Sequence, residues 1–150
     1  MSTASATLRD RREAVVREHM ASENRHEFDV TLGTFARPHY ELIPTGEVYD
    51  GREAVARYYA TSRAAFPDQR NEVRALHHAD DVVIAEFDLM GTHRGSFHGF
   101  PPTGRAFVCP MVALFFFEGD RIVCERVYFD SMTILRQLGI VAGETGSSPR

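Results

Sequence analysis

The segment from Val83 to His93 alternates apolar and other side chains so regularly that it predicts a β-strand with one buried face. The apolar set runs from Val83 to Leu89, and the same spacing ends the buried face on His93. Two roles remain open for this imidazole. It is either a core side chain with one hydrogen-bond partner or a group that transfers protons near neutral pH.

The rest of the chain predicts helices first and strands afterwards. An apolar stripe that includes His19 predicts an amphipathic helix over residues 8–24, and another helix begins near Asp50 and stops at Pro67. A short helix is expected at 30–35, a short strand at His39, further strands at 71–78, 82–93, 105–118 and 121–130, and a last helix ending at Gly139. Helices followed by a meander of strands indicate an α+β fold.

Four segments resemble a known protein family. They are Gly51-Arg52-Glu53-Ala54-Val55, Phe66-Pro67-Asp68, the run GTHRGSFHGFPPTGR at 91–105, and Gln137-Leu138-Gly139. Over about Arg9 to Ile140 the chain resembles the SnoaL-like polyketide cyclase family, which belongs to the nuclear transport factor 2-like superfamily. The resemblance implies a curved antiparallel sheet that helices complete into a cone-shaped barrel around a hydrophobic pocket.

The chain shows no internal boundary, so residues 1–150 are predicted to form a single domain with a core of about 8–140. The small, polar stretches at 2–7 and 143–150 predict frayed termini. A formal net charge of −4 without a basic run argues against nucleic acid or an anionic membrane as the partner. With no apolar stretch of membrane-spanning length and no signal-peptide core, we expect a cytoplasmic protein.

A two-residue loop at Gly119-Asp120 would set the register of the last hairpin and pair Cys124 with Phe115. Cys109 would then lie six residues out of register with Cys124. At about 3.3 Å per residue the two are roughly 20 Å apart, too far for a disulfide. We therefore predict two buried free thiols.

The same register sorts the polar residues of the last strand onto one face. Asp130, Tyr128 and Arg126 would share that face with Met111 and Phe115. Because buried polar groups are costly in a packed core, this face is predicted to line the pocket. The opposite face is also apolar and is predicted to form a homodimer; it includes Val112, Leu114 and Phe116.

The resemblance implies a catalytic carboxylate at Asp130, between the last strand and the Gln-Leu-Gly motif. An apolar cavity would raise the pKa of such a carboxyl towards the range that serves proton transfer at neutral pH. Two other roles remain open for Asp130: an N-cap of the last helix, or an ion pair with Arg126. Arg126 stands near a position where many family members have tryptophan, and it would pair with Asp130 or hold a substrate carboxylate or enolate.

Asp130 and His93 are thus the candidate catalytic residues. The candidate substrate-binding residues are Arg126, Tyr128, His39, Tyr59, Phe97, Phe100, Met111 and Phe115. No metal site is predicted, since His77 and His78 are adjacent and point to opposite faces of a strand. The loop that holds His93 and His98 has no Cys or carboxylate at ligand spacing.

These features predict a cofactor-free enzyme of cyclase or isomerase type that moves protons on a hydrophobic, carbonyl-bearing small molecule such as a polyketide. The alternatives are a dehydratase or hydrolase on the same fold, a non-catalytic protein that binds a hydrophobic ligand, and a module whose outer face serves assembly.

Overall fold

The computed structural model describes residues 5–142 and has the predicted α+β organisation. In chain order the elements are α1 (Leu8–Asn24), α2 (Phe28–Gly33), β1 (His39–Leu42), β2 (Glu47–Asp50), α3 (Arg52–Ala65), β3 (Arg70–His78), β4 (Val82–Thr92), β5 (Ala106–Glu118), β6 (Arg121–Phe129) and α4 (Ser131–Gln137). Strand β2 is the one element that the sequence patterns did not predict. In the part of the chain described, no helix is long and apolar enough to cross a membrane.

The described residues include only part of the two termini that were predicted to be frayed. Residues 2–4 and 143–150 lie outside the described residues. Thr7, predicted as frayed, instead caps α1: its hydroxyl accepts a hydrogen bond from the Asp10 backbone N–H at 3.1 Å, and the Asp10 carboxylate accepts one from the Thr7 N–H at 3.2 Å. This reciprocal capping box satisfies two backbone donors at the start of the helix.

The six strands form one curved sheet in the order β2-β1-β6-β5-β4-β3. The sheet is curved, as the resemblance implied, but it is not antiparallel throughout. Strand β1 pairs with β6 in parallel, so the sheet is mixed, and β2 and β3 stand at its two open edges. A parallel pair needs a long crossover, which the chain between β1 and β6 supplies.

A β-bulge in β6 overturns the predicted hairpin register. Glu118 pairs with Arg121, and Phe117 with Ile122, as a two-residue loop requires. The next pair joins Phe116 to Cys124, so Val123 is an extra residue without a partner on β5. Because side chains alternate along a strand, this slip of one residue turns every later side chain of β6 to the opposite face.

The helices cover the inner face of the sheet and leave a cavity between them. Helix α1 packs against β3 and β4, and α3 packs against β1 and β2. The fully buried side chains include Val16 of α1, Val55 of α3 and Phe115 of β5. Both cysteines are free thiols, as predicted, but only Cys109 is buried; Cys124, also predicted to be buried, is half-buried.

The Gln-Leu-Gly motif fastens the last helix to the sheet. The Gln137 amide accepts a hydrogen bond from the Val108 N–H at 2.8 Å and donates one to the Val108 carbonyl at 2.9 Å. It thereby satisfies backbone groups of β5 beyond the end of β6. Leu138 is fully buried, and Gly139 has a φ of +74°, a conformation that glycine adopts without strain.

Candidate active site

The inner face of the sheet and the helices enclose a cavity of about 560 Å³. Most of its wall is apolar. The wall includes Met20, Phe66, Phe87, Phe97, Phe107 and Met111. A cavity of this size with apolar walls and a few converging polar groups has the features of a small-molecule site.

Four ionisable side chains from three elements meet beside this cavity. His19 Nε2 of α1 lies 2.7 Å from Glu125 Oε1 of β6 and 3.0 Å from Glu23 Oε1 of α1. The other oxygen of Glu23 lies 3.5 Å from a guanidinium nitrogen of Arg63 in α3. Glu23, Arg63 and Glu125 line the cavity, whereas His19 is fully buried behind them. We call these four residues the buried ionic cluster.

The hydrogen bonds of Thr34 determine which nitrogen of His19 carries a proton permanently. The Thr34 hydroxyl donates its single hydrogen to the Thr31 carbonyl at 2.6 Å. Its contact of 2.8 Å with His19 Nδ1 must therefore be one that the hydroxyl accepts, with Nδ1–H as the donor. Nε2, which faces the two carboxylates, is then the nitrogen whose proton can come and go.

The pKa values of the buried ionic cluster shift in directions that follow from burial and pairing. Burial lowers the pKa of His19, but Glu125 and Glu23 outweigh it and raise the value to about 10. Burial raises the pKa of the Glu125 carboxyl, and the charge of His19 offsets only part of that effect. Glu23 behaves differently: burial opposes its charge, yet His19 and Arg63 together hold its pKa below the usual value. Of the two carboxyls in the cluster, Glu125 is therefore the more readily protonated.

A group of tyrosines forms the wall near α3. The Tyr58 ring centroid lies 4.8 Å from that of Tyr40 and 4.9 Å from that of Tyr49, and all three line the cavity. Burial raises the pKa of Tyr58 to about 12 and also raises that of Tyr40, so both phenols keep their protons at neutral pH. Protonated phenols can donate hydrogen bonds to a carbonyl or enolate oxygen.

Asp130 lies at the N-terminus of α4 with an exposed side chain. Its carboxylate accepts hydrogen bonds from the Met132 N–H at 3.0 Å and from the Thr133 hydroxyl at 3.4 Å. This is the N-cap geometry that the sequence left open as an alternative role. Catalysis by Asp130 stays a prediction, and its exposure to water leaves it without the apolar surroundings on which that prediction was based.

His93 is fully buried, as the alternation along β4 predicted. Its Nδ1 accepts a hydrogen bond from the Thr103 N–H at 3.2 Å, so the imidazole is fastened to its own loop. The Phe66 and Phe97 rings, both in the cavity wall, lie 5.6 and 6.1 Å from the His93 ring. Nε2 is buried and has no hydrogen-bond partner among residues 5–142. The geometry is that of a core histidine beside the cavity, and its catalytic role stays a prediction.

The bulge corrects the predicted placement of Arg126 and Tyr128. Both lie on the outer face of the sheet, where the Arg126 Nε–H donates to Glu41 Oε1 at 2.6 Å and Tyr128 is 41% exposed. His39 also lies outside, between the carboxylates of Glu41 and Asp50. The ion pair of Arg126 is therefore with Glu41 and not with Asp130.

The remaining predicted contact residues lie in or behind the inner wall. Phe97, Phe100 and Met111 line the cavity. Phe115 is fully buried and stands edge-on to His19 at 5.1 Å between ring centroids. Tyr59 is buried and stacks on Phe28 at 4.8 Å between ring centroids, and its hydroxyl has no hydrogen-bond partner in the part of the chain that the structure describes.

Sequence reasoning missed the roles of Glu23, Arg63 and Glu125. Two signals were present: a histidine on the apolar stripe of α1 followed by Glu23 at helical spacing, and a single carboxylate in the apolar run of the last strand. The assumed register placed Glu125 on the outer face, and the bulge at Val123 brings it inside.

A sequence model of the SnoaL-like polyketide cyclase family matches residues 13–138. The chain belongs to this family. The structure of wild-type IdmH from Streptomyces antibioticus, described as a proposed polyketide cyclase, is similar with a TM-score of 0.74 and 26% identity over 85% of this chain and 98% of IdmH. No curated protein matches the sequence.

Two further structures share the fold of this SnoaL-like protein. AclR from Streptomyces galilaeus, described as a proposed hydroxylase, has a TM-score of 0.75 and 21% identity over 88% of this chain and 83% of AclR. A protein from Catenulispora acidiphila with a ketosteroid isomerase-like fold, in complex with trimethylamine, has a TM-score of 0.75 and 21% identity over 90% of this chain and 97% of its own. At these identities the likeness concerns the fold alone.

Proposed function

We propose that this SnoaL-like protein is a cofactor-independent enzyme of cyclase or isomerase type that uses Glu125 to transfer a proton on a hydrophobic, carbonyl-bearing substrate. The observation that supports it is a carboxyl at the cavity wall, only 3% exposed, with a raised pKa and a histidine at 2.7 Å. A carboxyl with a raised pKa can both accept and return a proton near neutral pH. The description of IdmH as a proposed polyketide cyclase supports a polyketide as the substrate class.

In the proposed reaction the Glu125 carboxylate removes a proton from the carbon next to a substrate carbonyl. The electron pair of that C–H bond moves to the carbonyl oxygen, and the phenol of Tyr58 or Tyr40 donates a hydrogen bond to the resulting enolate. The enolate carbon then attacks a second carbonyl of the same molecule, and Glu125 returns the proton to the alkoxide that forms. Substrate and product therefore have the same composition.

The other three residues of the buried ionic cluster would keep its charges in place while Glu125 gains and loses a proton. When Glu125 becomes neutral, Glu23 still balances the charge of His19, because Arg63 and His19 keep Glu23 ionised. The protonated imidazole can therefore stay in place throughout the cycle. A fixed charge that needs no reorganisation during the reaction lowers its barrier.

Exchange of substrate hydrogen for deuterium tests this proposal without knowledge of the natural substrate. Hydrophobic ketones and β-diketones would be incubated with the protein in D₂O, and exchange at the carbon next to the carbonyl followed by proton NMR. We expect catalysed exchange that falls by about 10²–10⁴-fold in Glu125→Gln. The matched control is Asp130→Asn, a carboxylate-to-amide change at a residue outside the cavity wall, which should keep the exchange rate.

Exchange that survives Glu125→Gln, or that is lost in Asp130→Asn while Asp130→Asn remains folded, would contradict the proposal.

The second candidate function is ligand binding without catalysis. Within the buried ionic cluster the two positive and two negative side chains balance each other, and a network that only stabilises the fold has the same arrangement. In that case the cavity only binds an apolar molecule. Wild-type protein would then bind the test compounds and catalyse no exchange, and Glu125→Gln would bind them as well.

We also propose that the outer face of β5 forms a homodimer contact. Val108 is 48% exposed there, and Val112, Leu114 and Phe116 are half-buried on the same face. Apolar area of this kind is usually covered by a partner. Light scattering after gel filtration should give a dimer mass for the wild type and a monomer mass for Val108→Lys; a monomeric wild type would exclude the contact.

A further inference from the structure

Three potential metal ligands meet on the outer face of the sheet, opposite the cavity. They are His39 and Glu41 of β1 and Cys124 of β6, and one ligand atom from each lies within 4.8 Å of the other two. All three side chains are half-buried in the single chain. No part of the proposed catalytic chemistry uses these residues.

The backbone fixes the three side chains in this arrangement. Tyr40 pairs with Glu125 across the parallel β1–β6 contact, and both point inward. Alternation then turns their neighbours in sequence, His39 and Glu41 on one strand and Cys124 on the other, outward. Without the bulge at Val123, Cys124 would point into the protein. The ligand cluster therefore stands on two hydrogen-bonded strands, which hold side chains in place better than loops do.

We propose that His39 Nε2, a carboxylate oxygen of Glu41 and the Cys124 thiolate form a site for a divalent transition metal ion of the zinc class, with water as a fourth ligand. One nitrogen, one oxygen and one sulfur ligand suit tetrahedral Zn²⁺ or Co²⁺, and the thiolate disfavours Mg²⁺ and Ca²⁺. Three protein ligands leave one position open.

The neighbouring side chains are arranged as metal sites require. Asp50 Oδ1 lies 3.0 Å from His39 Nδ1, so this carboxylate can hold Nδ1–H and leave Nε2 for the metal. Arg126 binds one oxygen of Glu41 at 2.6 Å, and the other oxygen of Glu41 lies 3.0 Å from His39 Nε2. Two of the three ligands, His39 and Glu41, therefore have a neighbouring side chain that orients them.

The charges of the proposed ligands match a divalent ion. The Glu41 carboxylate and the Cys124 thiolate together carry two negative charges, and the imidazole of His39 binds as a neutral ligand. Binding displaces any protons held by His39 Nε2 and by the thiol.

Titration of the tag-free, reduced full-length protein with Co²⁺ tests this site. A Co²⁺–thiolate bond gives a near-ultraviolet charge-transfer absorption, which the sulfur-free cluster of His19, Glu23 and Glu125 cannot produce. We expect this absorption to saturate at one Co²⁺ per chain and to disappear on addition of one equivalent of Zn²⁺. Cys124→Ser should abolish it, and the matched control Cys109→Ser should retain it.

Asp50→Asn keeps all three ligands and is expected to weaken Co²⁺ binding by about tenfold or more, as loss of an orienting carboxylate does. His39→Gln should weaken it further. If Cys124→Ser fails to fold, protection of Cys124 from alkylation by bound Zn²⁺ in the wild type serves instead. Absence of the thiolate band, its survival in Cys124→Ser, or affinities unchanged in both Asp50→Asn and His39→Gln would overturn the proposal.

Discussion

The imidazole of His19 in the first helix lies 2.7 Å from the carboxylate of Glu125 in the last strand. This contact joins the two ends of the chain at the wall of the cavity, and both groups are buried. Buried ionisable groups with shifted pKa values are typical of catalytic sites, although structural networks can look the same. Changes of charge and pH at this contact therefore test how the cavity works.

Replacing Glu125 should lower the pKa of His19. Glu125 and Glu23 raise the pKa of His19 in the folded protein to about 10, compared with 6.5 for a free imidazole. A raised pKa means that His19 stabilises the fold fully below pH 6.5 and that this contribution is lost as the pH rises towards about 10. NMR titration of the His19 imidazole and urea unfolding at a series of pH values measure the pH range over which this contribution is lost. That range should be narrower in Glu125→Gln than in the wild type. An identical His19 titration in both proteins would refute the pairing.

Thr34→Val removes the acceptor of the His19 Nδ1 proton and keeps the shape of the side chain. We expect a loss of about 1–3 kcal/mol in the free energy of unfolding, because a buried donor is left without a partner. The His19 pKa should also fall. Urea unfolding checks the first effect and NMR titration the second; Thr34→Ser, which restores the hydroxyl, should recover most of both.

Asp130→Ala should cost about 1 kcal/mol of stability through loss of the N-cap of α4, whereas Asp130→Asn should cost little, since asparagine caps equally well. Thermal or urea unfolding of the two variants measures the difference. If both variants lose deuterium exchange while they stay folded, Asp130 is a catalytic residue after all.

The two cysteines should react with alkylating reagents in a fixed order. Burial raises the pKa of Cys109 to about 11 and that of Cys124 to about 12, so both thiols react slowly at neutral pH. Cys124 is half-buried and Cys109 is 1% exposed, so in the native, metal-free protein Cys124 should be modified first and Cys109 only on unfolding. Mass spectrometry of timed samples checks this, and faster labelling of Cys109 would argue against the bulged register.

Gln137→Ala should destabilise the protein by about 1–2 kcal/mol, because the Val108 N–H and carbonyl lose their two hydrogen bonds to the amide. Gln137→Glu keeps the acceptor but sets a carboxylate oxygen against the Val108 carbonyl in place of the donor, so it should not recover the full stability. Unfolding in urea measures both, and hydrogen exchange of the Val108 amide should speed up in Gln137→Ala.

Local patterns in the sequence determined the fold class and the described elements apart from β2. The stripe around His19 marked α1 from Leu8 to Asn24, and alternation marked β4 and the burial of His93. These features depend on the period of a helix or a strand, which each segment contains in itself. The family resemblance added the curved sheet and the cavity that the structure contains.

Only the tertiary structure decided which polar residues face the cavity. One extra residue, Val123, turns Glu125 inward and places Cys124 and Arg126 outside. No periodic pattern reveals a bulge, because both faces of the sheet are apolar and either register satisfies them. The ionic cluster in the cavity and the ligand cluster outside it also unite residues from opposite ends of the chain, and only the pairing of β1 with β6 and the packing of α1 bring these residues together.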